Sequence, residues 1–420
     1  ALGEIKALLD PKGLMNPGKI VRPTKMDDRS LFRFKPGDAT SPPPTVPDWS
    51  EWGGYDKAAE MCNNNGHCRK FDAGTMCPSY RATRDEAHGT RGRANTLRLV
   101  LSGQLPFDAA KDALELCVSC KGCKRECPTG VDMARMKVEY LAHYRKTHPA
   151  TLRERVIAYL PRYAPVASRF APLANLASSL ARSVLGFTSR RSLPRWRGDF
   201  FMDRAWTKRG DGEVVLFVDT FSRWFEPENA RAAIRVLEAG GYRVHVAAPV
   251  LQGRPLCCGR TFLSAGLVDE AKVEARRTLE ALGPWVERGV PVVGLEPSCL
   301  FSFRDEFTVL LPGTQALARG SYLFEEFVAR EQDAGRLSLA LKPLAKKALL
   351  HGHCHQKAFG AMPAVERVLK MVPGLEVQPV ESSCCGMAGS FGYEAEHYEV
   401  SMRMGEAALL PAVRGAPEHP

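Results

Sequence analysis

Residues 117–128 read Cys117-Val-Ser-Cys120-Lys-Gly-Cys123-Lys-Arg-Glu-Cys127-Pro128, and the rest of the chain is arranged around them. Three thiols at two-residue intervals, a fourth after three more residues and a closing proline make the C-x2-C-x2-C-x3-C-P run. In that run the first three sulfurs hold one iron-sulfur cluster and the fourth reaches a second. One tight loop must aim several thiolates at one inorganic cube. Gly122 lets the backbone approach closely, and Pro128 ends the loop without an N–H. The run therefore predicts two clusters and a partner segment elsewhere. Zinc ribbons use two separated C-x2-C pairs, so this compact spacing favours iron and sulfur over a four-cysteine zinc site.

Cys62 to Cys77 supplies the partner: Cys62-Asn-Asn-Asn-Gly-His-Cys68, eight residues, then Cys77-Pro78. Overlaid on the first run, Cys62 and Cys68 match its first and third cysteines and Cys77-Pro78 its fourth, while Asn65 falls where the second should be. Crossed over as in two-cluster ferredoxins, Cys77, Cys117, Cys120 and Cys123 form a complete 4Fe-4S set. The second set, Cys62, Cys68 and Cys127, is one ligand short. It suits a 3Fe-4S cluster, or a 4Fe-4S cluster whose fourth iron takes water, His67 or another group. Between the loops, Asp85 to Leu101 reads as a helix after a glycine-containing start and Asp108 to Leu116 as another, and after them Asp132 to Tyr144 reads as a third. Arg81, Arg84, Arg91 and Arg93 either screen the clusters' negative charge and raise their potentials, or form a solvated basic face.

The 420 residues, 25% charged and 45% hydrophobic, suit two or three domains with ordinary cores. No window approaches 18 uninterrupted apolar residues, and no basic-then-apolar leader opens the chain. A cytoplasmic setting is expected. Thirteen cysteines in tight clusters within so large a chain favour metal chemistry over disulfides. The net charge of +11 is concentrated between Thr151 and Gly210, where twelve Arg and Lys face three acids. Pro161, Pro165 and Pro172 are expected to break this segment into short amphipathic helices. A connector with solvated charges is the first reading of it, and a peripheral contact with an anionic inner membrane the second. No nucleic-acid motif is present, so no nucleic-acid partner is expected.

From Glu213 strands and helices alternate. Val214–Val218, Arg243–Ala247 and Val290–Leu295 read as strands, with helices at Pro227–Ala239 and Gly266–Leu282. A helical insertion is expected around Ser321 to Gln332. Then come strands at Ala348–His351 and Leu375–Val380 and helices at Ala364–Met371 and Glu394–Leu410, a second copy of one α/β unit. The second strand of each copy leads into a doublet, Cys257-Cys258-Gly259 in the first and Cys384-Cys385-Gly386 in the second. Thiols at the carboxyl end of a strand lie in the crevice where open α/β sheets bind ligands.

Four resemblances follow from these residues. The helices between the cysteine loops resemble the α-helical ferredoxin domain of succinate dehydrogenase and dihydropyrimidine dehydrogenase. The stretch IKALLDPKGLMNPGKI, residues 5–20, is similar to the closing segment of FAD-linked oxidases of the vanillyl-alcohol oxidase type. The doublets resemble the cysteine-rich CCG domain of heterodisulfide reductase and of the iron-sulfur subunits of glycerol-3-phosphate dehydrogenase and glycolate oxidase. That family's repeat has a cysteine after the first strand, the doublet, and a cysteine after the third strand. The first copy has Asp219-Thr220 in place of the leading cysteine but keeps Cys257, Cys258 and Cys299. The second has Cys354, Cys384 and Cys385 and ends before a final one. A third cluster, around Cys354, Cys384 and Cys385, is the preferred implication; buried thiols left after a cluster was lost are the alternative. No catalytic residue is identified, because Cys354 with His353 or His355 lacks a third group to orient the base.

Taken in order, the chain resembles the carboxyl-terminal iron-sulfur part of bacterial FAD and iron-sulfur D-2-hydroxyacid dehydrogenases. The resemblance implies an α+β multidomain chain: an α-helical two-cluster ferredoxin domain followed by a tandem α/β CCG-repeat domain. Its parts are 1–22, the tail of an FAD-linked oxidase domain; 23–56, a linker; 57–150, the ferredoxin domain; 151–210, the basic connector; and 211–420, the CCG domain. Both ends are expected to be cut. FAD, on the missing part of the same full-length chain, would oxidise a D-2-hydroxyacid, and this part would carry electrons to a quinone or redox-protein acceptor. Thiol or heterodisulfide reductase chemistry at the CCG cysteines and a zinc-stabilised scaffold are the rival functions.

Overall fold

The computed structural model describes residues 1–31, 37, 39–203, 210–251 and 253–416. Helices dominate, with two small parallel sheets, an α+β chain. It divides into two compact units, residues 1–41 and 42–420. In the first, helix Leu2–Leu9 buries none of its residues. Asp10 ends it, accepting hydrogen bonds from Leu14 N at 2.9 Å and Met15 N at 2.8 Å and so shaping the Pro11-Lys-Gly13 turn.

In the second unit the cysteine loops are framed by helices Thr90–Leu101 and Met133–Thr147. Thr90, Ala94, Leu97 and Leu101 share one face of the first and are buried. The second is capped by Asp132, whose carboxylate accepts from Arg135 N, and it buries Glu139 completely. That carboxylate is satisfied by Val46 N, Trp49 Nε1 at 2.7 Å and His143 Nε2 at 2.8 Å, which ties residues 46–49 onto the helix. The helix expected within Asp85 to Leu101, after a glycine-containing start, runs over Thr90–Leu101. Glu86–His88 is a 3-10 turn, and Gly89 is extended before Thr90.

The basic segment forms helices Leu152–Ala158, Leu160–Arg169 and Ala171–Ala181. Pro161 and Pro172 sit in first turns, where a missing N–H costs nothing. Pro165, expected to break the chain, lies inside a helix instead. Its lost partner would be the carbonyl of Pro161 at the helix start, so only one bond is forfeited.

Beyond residue 211, β1 (Gly212–Phe217), β2 (Tyr242–Val246), β3 (Val292–Gly294) and β4 (Ser321–Leu323) form one parallel sheet in the order β2-β1-β3-β4. Leu216 pairs with Val246 and Val293, and Val293 with Tyr322. The β1 run Val-Val-Leu-Phe is buried on both faces, as a central parallel strand must be. β4 corrects the expected helical insertion: its three residues form a strand before helix Phe324–Asp333. β5 (Lys346–Leu350) and β6 (Leu375–Pro379) make a second parallel sheet. The two α/β copies are therefore unequal, four strands against two among the described residues. The helix expected over Glu394–Leu410 is two, Tyr398–Glu406 and Leu409–Arg414. Pro411 cannot tolerate a helical carbonyl four residues earlier, at Ala407, which forces the break.

Candidate iron-sulfur centres

The loop at Cys117 and the segment at Cys77 are held together by Glu126. Its carboxylate accepts from Thr75 N at 2.6 Å and Met76 N at 3.2 Å. Gly122 is needed here for a reason the spacing alone does not give: a Cβ on it would lie 3.1 Å from both Met76 N and Thr75 Cβ. Cys77 precedes helix Pro78–Thr83 and Cys123 sits in helix Gly122–Glu126, while Ser119 and Lys121 take left-handed backbone between the other sulfurs. Cys77, Cys117, Cys120 and Cys123 thereby line one small cavity with Arg93 in its wall.

The chemistry of that donor set fits a cluster. A tetrahedral zinc with bonds of about 2.3 Å draws its thiolates to within about 4 Å of one another. No three cysteine sulfurs here lie mutually within 4.8 Å, and among the described residues the one trio that does is Glu394, Glu396 and His397. Arg93 is 1% exposed, and its guanidinium donates to Ala113 O at 2.7 Å, Ser79 Oγ at 2.7 Å and Cys77 Sγ at 3.5 Å. Among the described residues it has no carboxylate partner. A buried cation needs compensating negative charge, which a thiolate-bound group in the cavity would supply. Burial works against the Cys77 thiolate, yet Arg93 and Ser79 more than offset it, so this thiol lies below its ordinary range. Burial pushes the Cys120 and Cys123 thiols up, as expected of ligands that only a metal would deprotonate. Lys137, brought down to about 8 by burial, donates to Cys117 O at 2.6 Å.

Cys62 and Cys68 are buried in the same helical core, and Cys127, half-buried, packs against it. The first turn of helix Thr90–Leu101 aims one amide at this set, Arg91 N lying 3.4 Å from Cys68 Sγ. Asn65 turns inward on its own loop, its amide donating to Asn63 Oδ1 and its carbonyl accepting from His67 N at 2.8 Å; His67 is exposed. Of the four arginines expected to screen clusters, Arg93 is fully buried, and half-buried Arg81 is close enough to Cys77 and Cys120 for their charges to interact. Arg81 bonds Met76 O, Arg91 pairs with Glu86, and Arg84 stacks 3.5 Å over the Phe71 ring.

The remaining six cysteines gather in two sets just past strand ends. Cys354 opens helix Cys354–Phe359 after β5, and Cys384 and Cys385 follow β6. Cys384 touches both of the others, and its contact with Cys354 and burial raise its thiol; Cys385 is pushed up to about 12 by Cys384 and burial. Lys357 Nζ bonds Ser382 O and Ser383 O and faces all three sulfurs. In the first copy Cys258 touches Cys257 and Cys299. Asp219, standing where the leading cysteine was expected, caps helix Thr220–Trp224 by accepting from Phe221 N and Ser222 N. Burial and the charge of Glu296 raise its carboxyl to about 6.

What sequence reasoning missed is how the sets join. Cys384 is close enough to Cys120 for their charges to interact. His355 Nε2 meets Ser119 O at 3.0 Å, and Ser383 Oγ donates to Thr75 O at 2.5 Å. Lys121, 2% exposed, places Nζ 2.5 Å from Asp305 and 2.6 Å from Glu306. Lys124 adds a 2.7 Å contact to Asp305, and Arg260 pairs with Glu306. Burial opposes the Asp305 charge, but Lys121 and Lys124 hold its carboxyl far below the usual range. The only signal in the sequence was an acidic dipeptide and a lysine inside the cysteine run.

Residues 58–131, which include seven of the cysteines, match the family model described as a 4Fe-4S dicluster domain. The chain is 25% identical to D-2-hydroxyglutarate dehydrogenase of Escherichia coli (strain K12), an alignment covering 100% of this chain and 46% of that protein. It is 30% identical to the C subunit of anaerobic glycerol-3-phosphate dehydrogenase of the same strain, over 63% of this chain and 68% of that one. The glycolate oxidase iron-sulfur subunit of that strain is 24% identical over 86% of this chain and 87% of its own. The chain thus spans less than half the length of the D-2-hydroxyglutarate dehydrogenase it matches. No solved structure matches.

Proposed function

The chain belongs to the family of the C subunit of anaerobic glycerol-3-phosphate dehydrogenase, an iron-sulfur oxidoreductase family, and from this premise we propose that it is the electron-transfer part of an FAD and iron-sulfur D-2-hydroxyacid dehydrogenase. In this reading FAD on another part of the full-length protein takes electrons from the hydroxyacid. This chain passes them through an α-helical two-cluster ferredoxin region, then a CCG region, to a quinone or redox protein. The observation that carries the reading is the single cavity lined by Cys77 together with Cys117, Cys120 and Cys123, one sulfur from the first loop and three from the second.

Iron-sulfur clusters supply one-electron redox change without bond rearrangement, at potentials set by ligands, hydrogen bonds and exposure. The residues around the cavity do the tuning. Arg93 donates towards Cys77, Ser79 Oγ lies 3.6 Å from the same sulfur, and Lys137 fixes the Cys117 carbonyl. Cys62, Cys68 and Cys127 would hold the second cluster. Cys354, Cys384 and Cys385 would hold a third, on the Cys120 side of the cavity, and Lys357 would balance its charge. At Cys257, Cys258 and Cys299 the carboxylates of Asp219 and Glu296 disfavour further negative charge, so this set is assigned no cluster. The separation of the sulfurs favours clusters over a zinc scaffold.

Electron paramagnetic resonance of the anaerobically purified protein tests this. Cys77→Ser should abolish the reduced signal of the cavity cluster and spare the other, and Cys127→Ser should do the reverse. Stoichiometric zinc without iron or sulfide, or loss of the cavity cluster alone in Cys127→Ser, would overturn the assignment.

A further inference from the structure

Helices Leu160–Arg169 and Ala171–Ala181 pack Leu160, Tyr163, Ala164, Ala167, Ala171 and Ala174 around Trp196 and Trp224, yet leave larger apolar side chains in solvent. The second is fastened to the body of the protein by its polar side chains. Asn175 exchanges hydrogen bonds with Trp196, its Oδ1 accepting from the Trp196 N–H at 2.8 Å and its Nδ2 donating to the Trp196 carbonyl at 3.0 Å, and Ser178 Oγ accepts from Trp196 Nε1. Of its eleven residues only Ala171 is buried. Its leucines point the other way. The exposed apolar stripe takes in Val166 on the first helix, Phe170 at the break, Leu173, Leu176 and Leu180 on the second and Val184 just past its end, each between 57% and 82% exposed. A stripe of this kind outside the core marks a contact surface.

The charge around it selects the contact. From Arg155 to Gly198 the chain has eight arginines and not one Asp, Glu or Lys. Arg162, Arg190 and Arg197 are paired with Glu270, Glu399 and Asp199. Arg155, Arg169, Arg182 and Arg195 have no carboxylate partner among the described residues. Apolar side chains flanked by unneutralised arginines, on short helices lying along the surface, match the chemistry of an anionic bilayer: acyl chains receive the stripe and headgroup phosphates the guanidinium groups. No described helix is long and apolar enough to cross a membrane, so the contact is in plane.

We propose that the stripe from Val166 to Val184, with Arg155, Arg169, Arg182 and Arg195, docks the protein on an anionic lipid surface. The connector reading of this segment accounts for its prolines but not for leucines turned outward. The inference does not depend on which cofactors the cysteines hold, because lipid binding is read independently of electron transfer.

Flotation of the full chain with vesicles of phosphatidylcholine and phosphatidylglycerol (3:1), against pure phosphatidylcholine, tests it. The wild type should float with the anionic vesicles and at least tenfold less with the neutral ones. The combined variant Leu173→Glu, Leu176→Glu, Leu180→Glu should lose binding at least tenfold. Its circular dichroism and melting temperature should match the wild type, because these side chains touch little of the protein. Arg169→Gln with Arg182→Gln should weaken binding several-fold. Absence of wild-type flotation, unchanged binding by the leucine variant, or a wild-type dimer that ignores vesicles and dissociates in the leucine variant would each overturn the proposal.

Discussion

Replacing Arg93 by glutamine removes a full positive charge from the wall of the four-cysteine cavity while keeping a side chain able to hydrogen-bond. The guanidinium lies 3.5 Å from Cys77 Sγ. A metal–thiolate bond of about 2.3 Å places the electron's destination roughly 6 Å away. With an effective dielectric constant of about 20, the interaction of one added electron with that charge is about 3 kcal/mol. For a one-electron couple about 1.4 kcal/mol corresponds to about 59 mV, so the loss is on the order of 100 mV. The sign is fixed: a cation favours the reduced, more negative state, so Arg93→Gln should lower the potential. A redox titration followed by electron paramagnetic resonance reads the shift. Arg93→Lys keeps the charge but not the planar fork that reaches Ala113 O and Ser79 Oγ together, so its potential should stay nearer the wild type. A glutamine variant with full iron and sulfide whose potential moves by less than about 20 mV, or upward, would refute the electrostatic role. If that variant loads no cluster, the lysine variant decides between charge and fold.

Two further predictions concern stability. Lys121→Met leaves Asp305 and Glu306 buried with less compensation, which should cost about 3–5 kcal/mol in denaturant unfolding, and a loss under about 1 kcal/mol would show that Lys124 and Arg260 suffice. Glu331 is held at about 2 by the hydrogen bond from Arg336, against burial, with Tyr242 and Arg330 adding. A depressed carboxylate stabilises fully above its unfolded value of 4.5, and the effect is lost as pH falls through the folded value. Glu331→Gln should therefore be less stable by about 1–2 kcal/mol at pH 7, discounted because Arg336 is exposed, and the gap should narrow below about pH 4.5. A gap equal at pH 7 and pH 3 would contradict this.

Much of this arrangement could be read from residues close together in the chain. Helix Pro227–Ala239 was legible to both ends because proline opens it and Gly240-Gly241 closes it, and the buried run of β1 announced a parallel sheet. Partners brought together from far apart left no local trace. β4 is three residues whose strand character comes from pairing with β3, so its own sequence reads as the start of the next helix. Arg93 looked like one of four equivalent arginines, since its burial depends on Ala113 and Ser79 arriving from two other segments. Asp219 read as a missing cysteine; the geometry gives it a capping role that no cysteine would fill as well. The seven cysteines from Cys62 to Cys127 were legible as a group because cluster chemistry fixes their spacing, whereas the approach of Cys384 to Cys120 is purely tertiary.

The contact between His355 and Ser119 spans 236 residues, and the ribosome must cross that interval before it can form. At about 5–20 residues per second the wait is roughly 12–50 s. Throughout it the loop bearing Cys120 lacks its cover from the last part of the chain, and Lys121 lacks its two acids until residue 306 emerges. The four-cysteine cavity itself is lined only by residues between Met76 and Ala134, so its walls are complete in the nascent chain well before those later contacts form.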